Sequence, residues 1–199
     1  MTIRIVGLSG SLRRASSNTG LLRMAQRDLP ADVELVIADI HDLPFLNVDV
    51  EAEGDPPQVG ALKALVHDAD ALLLATPEYN YSLPPALKNA VDWLSRPARQ
   101  RPLAGKPVGL MGAGGFSGSR RAQKHWHDVL GVLGMVLVDQ PEVAVEKVWE
   151  LVDENGNIAD ATVTANVAAL VANLVKAARD ARAAAEALAE AEVTGEPVA

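Results

Sequence analysis

Short apolar runs recur along this chain between segments of helical periodicity. Ile3–Leu8, Val33–Ala38, Ala71–Thr76, Pro107–Gly112 and Met135–Val138 lack clean polar alternation. That is the pattern of parallel strands covered on both faces. Between them, Leu62, Leu65, Val66 and Ala69 fall three and four residues apart, as do Leu87, Ala90, Val91 and Leu94. Ala122, Trp126, Val129, Leu130 and Leu133 repeat the spacing, and Leu21, Leu22 and Ala25 mark a first helix less strongly. Strands and helices alternating in this way predict an α/β fold, a three-layer, doubly wound, parallel five-stranded sheet.

A final helix is expected over Val163–Arg179. Ala181–Glu192 has high helix propensity but little apolar face, so it reads as a frayed or solvent-facing extension, with Thr194–Ala199 a loose tail. The domain is therefore expected to span 1–180, followed by a helical or disordered tail over 181–199. Asn47–Gln58 carries four carboxylates, Gly54 and two prolines, and is expected to be an exposed acidic loop before a helix at Val59.

Composition narrows the chemistry. Apolar residues make up 49% of the 199 and charged residues 22%, enough for a real core in one domain. There is no cysteine, which removes disulfides, thiolate nucleophiles and Cys-ligated metal centres. Any redox chemistry must come from a bound cofactor. The net charge of −8 disfavours nucleic acid, and the densest basic run, Ser119–Lys124, is too short to override it. With no signal-peptide layout and no run of about 18 uninterrupted apolar residues, no membrane span is expected and the expected compartment is the cytoplasm.

Ligands of open α/β sheets sit at the carboxyl ends of the strands, where three loops have unusual chemistry. Ser9–Thr19 offers five hydroxyls, Asn18, Gly10 and two arginines ahead of a helix, the donors a phosphate needs. The alternative is a polar turn in which Ser17 or Asn18 only caps the helix. Thr76–Pro85 holds both tyrosines in a proline-bracketed segment suited to the face and edge of a heteroaromatic ring. For Tyr81, packing against the core is an equal alternative. Gly112–Ser119 carries four glycines, which permit close backbone approach to a ligand. Its Gly112-x-Gly114-x3-Gly118 pattern also has the outline of a dinucleotide fingerprint with Asp139 as ribose acid, but too little chain follows for a two-half dinucleotide fold. The four histidines read as surface residues, the three tryptophans as core or interface, and no metal site or nucleophile elbow is found.

Together the loops resemble the NADPH-dependent FMN reductase family. The likeness rests on Gly10-Ser11-Leu12-Arg13 with Ser17-Asn18-Thr19, on Pro77-Glu78-Tyr79-Asn80-Tyr81-Ser82 leading into Leu87-Lys88-Asn89-Ala90-x-Asp92-Trp93, and on Gly112-x2-Gly115-x2-Gly118 ahead of Arg121-Ala122-Gln123, over roughly residues 3–176. It implies a flavodoxin-like sheet of order 2-1-3-4-5, bound FMN, and NAD(P)H as co-substrate. By that resemblance Ser11, Arg13, Ser17, Asn18 and Thr19 hold the FMN phosphate. Pro77, Glu78, Tyr79 and Asn80 run along the ribityl chain and ring, largely through their backbone. Gly112, Gly114, Gly115 and Ser117 line the ring's far side. The implied reaction is a ping-pong hydride relay through FMN to a quinone, azo compound, metal oxyanion such as chromate, or free flavin. No side chain acts as catalytic acid or base. The Trp93 helix and the loop before it are implied to form a homodimer, often paired into a tetramer. An electron-carrier module partnered with another protein is the competing reading. Pro85 stands where relatives commonly have Gly, and the tail beyond Arg179 is extra.

Overall fold

The computed structural model describes residues 2–194. Strands β1 (Ile3–Ser9), β2 (Val33–Ala38), β3 (Ala71–Ala75), β4 (Pro107–Ala113) and β5 (Val136–Val138) form a parallel sheet of order β2-β1-β3-β4-β5. This is the expected doubly wound, flavodoxin-like arrangement. Because successive side chains leave a strand on opposite faces, β1 sends Ile3 and Ile5 to one core cluster and Val6 and Leu8 to the other. Helices α1 (Ser17–Ala25) and α6 (Ala161–Thr194) cover the first face. On the second face lie α3 (Pro57–His67), α4 (Pro85–Leu94) and α5 (Arg120–Val132). Pro85 is the first residue of α4, where its missing N–H costs nothing.

Two features depart from the sequence expectation. Asn47–Gln58 is not a simple loop: Val48–Glu53 forms the short helix α2, and Pro57 opens α3. Asn47 caps α2 by accepting from the Asp49 N–H at 2.9 Å, and Glu51 makes a forked ion pair with Arg96 at 2.7–3.0 Å. A two-residue strand, β6 (Ala144–Val145), pairs with the end of β4 at Gly112 and Ala113. Past Arg179, α6 continues to Thr194, and 183–190 are exposed, in keeping with the solvent-facing extension read there; residues 195–199 of the expected tail lie outside those described.

By length and composition α6 could cross a membrane. Its apolar side chains are committed elsewhere: Val167, Leu170, Val171, Leu174, Val175 and Ala178 are buried in the first core cluster. A Cβ on Gly109 of β4 would sit 3.1 Å from Leu174, so the small residue lets α6 lie close on the sheet. Farther along, Arg179 pairs with Asp32 at 2.7 Å and Arg182 with Asp70 at 2.5 Å, fastening the helix beneath the opposite end of the sheet from the three loops.

Candidate active site

The carboxyl ends of β1, β3 and β4 open into a cavity of about 560 Å³, within the range of small-molecule sites. Of the expected residues, Ser11, Arg13, Ser17, Asn18, Pro77, Glu78, Tyr79, Gly114 and Gly115 line it. Thr19, Asn80, Gly112 and Ser117 do not.

The loop after β1 forms one end. Ser16, not Ser17 or Asn18, caps α1, its Oγ accepting from the Thr19 N–H at 3.2 Å. Ser17 is thus free of capping duty in the first helical turn, at the positive end of the helix dipole. Asn18 is pinned: its Nδ2 donates to the Ala113 carbonyl and its Oδ1 accepts from the Ala113 N–H, both at 3.0 Å. This buried amide ties α1 to β4. Thr19 is turned toward β1, its hydroxyl 2.9 Å from Ser9 Oγ. Ser11 is 4% exposed, and among the described residues its Oγ is the buried side-chain polar atom without a hydrogen-bond partner. A buried hydroxyl without a partner costs about 1–3 kcal/mol, so a donor aimed into a cavity beside a helix N-terminus suits an anionic ligand such as a phosphate.

His41 braces this loop from the end of β2. Its Nδ1 is 2.7 Å from Asp39 and its Nε2 is 2.9 Å from the Leu12 carbonyl. Both partners only accept, so the two bonds coexist only in the doubly protonated ring. The Asp39 hydrogen bond, followed by that of Leu12, raises the His41 pKa. The sequence reading missed this role because the Leu12 carbonyl lies on another loop.

The tyrosine loop is held by α5. Burial would raise the Glu78 pKa, but hydrogen bonds from Ser117, from the Arg121 side chain and from the N–H groups of Arg121 and Ala122 outweigh it and keep it below the ordinary range. Glu78 accepts from the Arg121 N–H at 3.0 Å and pairs with its guanidinium at 3.0 Å. Ser119, at the N-cap of α5, makes no side-chain cap bond, so Glu78 caps the helix from a neighbouring loop. Arg121 also lies 4.3 Å over the Tyr81 ring, placing Tyr81 in an exposed cation–π contact rather than the core. Asn80 and Tyr81 adopt positive φ, a tight turn closed by paired backbone bonds between Tyr79 and Ser82. Deeper in, Trp126 Nε1 donates to Thr76 Oγ1 at 3.1 Å.

In the third loop, Gly112 does packing work: a Cβ there would lie 2.0 Å from Ser119 Oγ and 2.2 Å from the Thr76 carbonyl. Main-chain bonds run from Gly114 N–H to Val145 O, Lys147 N–H to Gly115 O and Val148 N–H to Gly114 O. Through them the segment after β6 brings Val148, Trp149, Val152 and Asp153 into the cavity wall, none anticipated from the sequence. Trp149 was expected in the core or an interface; it is 54% exposed and meets Phe116 edge-on at 5.6 Å. Trp93 and Trp126 are fully buried. Asp139, considered as a ribose acid, faces His127 at 3.3 Å. Arg120 pairs with Glu142 and Glu146, which neutralises part of the basic run. Among the described residues no cluster of three potential metal ligands occurs.

A flavodoxin-like sheet with this cavity at its carboxyl edge defines the class of open α/β proteins that take a ligand where strand order reverses, and comparison with known proteins narrows it. Residues 3–150 match the family described as NADPH-dependent FMN reductase. An NAD(P)H-dependent FMN reductase from Pseudomonas aeruginosa is 42% identical over 159 residues, 79% of this chain and 85% of that one. A 2-hydroxy-1,4-benzoquinone reductase from Burkholderia is 41% identical over 79% of this chain and 86% of its own length. Among solved structures, a flavoenzyme NAD(P)H:(acceptor) oxidoreductase from Paracoccus denitrificans superimposes with a TM-score of 0.80 at 31% identity, covering 90% of this chain and 98% of that one. The chain belongs to the NADPH-dependent FMN reductase family. It is accordingly an oxidoreductase of the flavoprotein class, with FMN as cofactor and NAD(P)H as co-substrate.

Proposed function

We propose that this cavity binds FMN with its phosphate among Ser11, Arg13, Ser17 and the N-terminal turn of α1, and that the enzyme reduces small planar acceptors, quinones first among them. The observation that carries the phosphate assignment is the buried, unpartnered Ser11 hydroxyl beside the α1 N-terminus. Arg13, exposed at the rim, adds a guanidinium fork to the same anion. Bound FMN supplies the hydride chemistry between NAD(P)H and acceptor. The protein's work is binding and orientation: Pro77, Glu78 and Tyr79 line the cavity beside the ring, and Gly114 and Gly115 let the chain approach without side chains. No acid or base need be named.

Quinones are favoured over inorganic oxyanions by the aromatic mouth, where Tyr79 and Trp149 line the opening and Phe116 backs Trp149. Such rings favour flat apolar partners. One site serves donor and acceptor in turn, so the kinetics are ping-pong. Exposed Phe45 and Val48, joined to α4 through the Pro44 bonds of Asn89 and Trp93, support a homodimer interface there.

Purified protein should be yellow, bleach with NAD(P)H without oxygen, and recover colour on adding a benzoquinone. Initial rates varied in both substrates should give parallel reciprocal lines. A colourless protein that consumes no NAD(P)H would overturn the assignment, and converging lines would remove the shared site.

A further inference from the structure

We propose that the hairpin Val152–Ile158 is the positioning element of the phosphate cradle, fixing the first turn of α1 from outside so that its donors face the anion. This rests on the reading of the cavity as the FMN site.

The hairpin is tightly made. Val152 and Ile158 form an antiparallel bridge, and Asp153 Oδ1 accepts from the N–H groups of Asn155 and Asn157 at 2.9 and 2.8 Å. Its Oδ2 accepts from Asn157 Nδ2 at 3.0 Å. These bonds favour the ionised form and tie the carboxylate to the turn.

The turn then lies on the cradle backbone to backbone. Gly156 is buried at φ +80°, and a Cβ there would sit 2.7 Å from the Ala15 carbonyl carbon and 2.8 Å from that of Ser16, the cap residue. From the other side, a Cβ on Gly20 would lie 2.0 Å from the Gly156 oxygen. Two glycines are thus needed for one close approach. Arg23, one turn along α1, locks the pair: its Nε donates to Asn157 Oδ1 at 3.0 Å and its Nη2 to the Asn155 carbonyl at 2.9 Å. Neither Arg23 nor Asn157 lines the cavity, so both act through Ser16, Ser17 and the helix turn.

Retention of FMN and of riboflavin, which lacks the phosphate, tests this in the full-length protein by following flavin fluorescence on dilution. Wild type should hold FMN far more tightly than riboflavin. Asn157→Ala and Arg23→Ala should each weaken FMN binding about tenfold, the scale of one lost charge-assisted hydrogen bond, and leave riboflavin binding unchanged. Arg23→Lys should restore part of the FMN affinity. An equal fall for both flavins would reduce the hairpin to a general structural role, and no change for FMN would also overturn the proposal. If wild type itself holds both flavins equally, the phosphate reading fails first, and the hairpin proposal with it.

Discussion

The two ends of the cavity are built by opposite rules. At the α1 end Ser11, Ser16, Ser17 and Asn18 are 4% exposed or less, and backbone glycines interlock behind them. At the mouth Tyr79, Trp149 and Phe116 are 43%, 54% and 78% exposed. The buried end is preorganised, so its hydrogen bonds need no ordering when an anion arrives. The open end contributes little to stability and is free to choose acceptors. On the proposed reading of the cavity, cofactor retention and acceptor choice fall to separable residues.

The sharpest way to break that contrast lies at Asn18. Asn18→Ala leaves the Ala113 N–H and carbonyl buried without partners, and should cost about 3 kcal/mol. Urea unfolding should show it, with FMN released alongside. A variant as stable as wild type would mean the α1–β4 tie is dispensable. Next in size is Glu78→Ala, which uncaps α5 and frees the tyrosine loop; it should cost about 1–2 kcal/mol and lower the melting temperature. Since the Glu78 pKa is depressed, its contribution is present above its ordinary value near 4.5 and is lost as pH falls through the folded value. Glu78→Ala should therefore flatten the acid limb of the stability profile.

Smaller effects sharpen the comparison from the mouth. Trp149→Ala should raise KM for a benzoquinone about five- to tenfold, the scale of one aromatic contact, while ferricyanide reduction and melting temperature stay put. Equal losses for both acceptors would contradict the division of labour. The smallest effect belongs to His41. Because its pKa is raised, the stabilisation it gives the Leu12 loop is complete below about pH 6.5 and fades as pH rises through the folded value. An NMR titration should place its midpoint above 6.5 and move it downward in Asp39→Asn.

How much was legible follows from which signals are periodic. Apolar runs marked all five main strands, and helical spacing marked the covering helices, because both patterns repeat over several residues. Strand β6 has two residues and the α2 helix six, too short for a period to emerge. The three loops were visible as clusters of glycine, hydroxyl and tyrosine. Their division into lining residues and supports was not, since Asn18 and Gly112 meet Ala113 and Thr76, far away in sequence. The Val152–Ile158 hairpin did carry a local signal, the Asn155-Gly156 dipeptide of tight turns. What no local signal could supply was that this turn docks on α1. Trp149 was hidden for the same reason, its place being set by main-chain bonds to Gly114 and Gly115.

Those main-chain bonds have an evolutionary consequence. Lys147 and Val148 are fastened to the glycine loop through their amides, so the stitching is indifferent to which side chains decorate it. Positions 116 and 149 can therefore drift, and with them the range of oxidants accepted, while the grip on the flavin is inherited unchanged. A library randomised at those two sites should yield folded, yellow proteins whose preferences diverge.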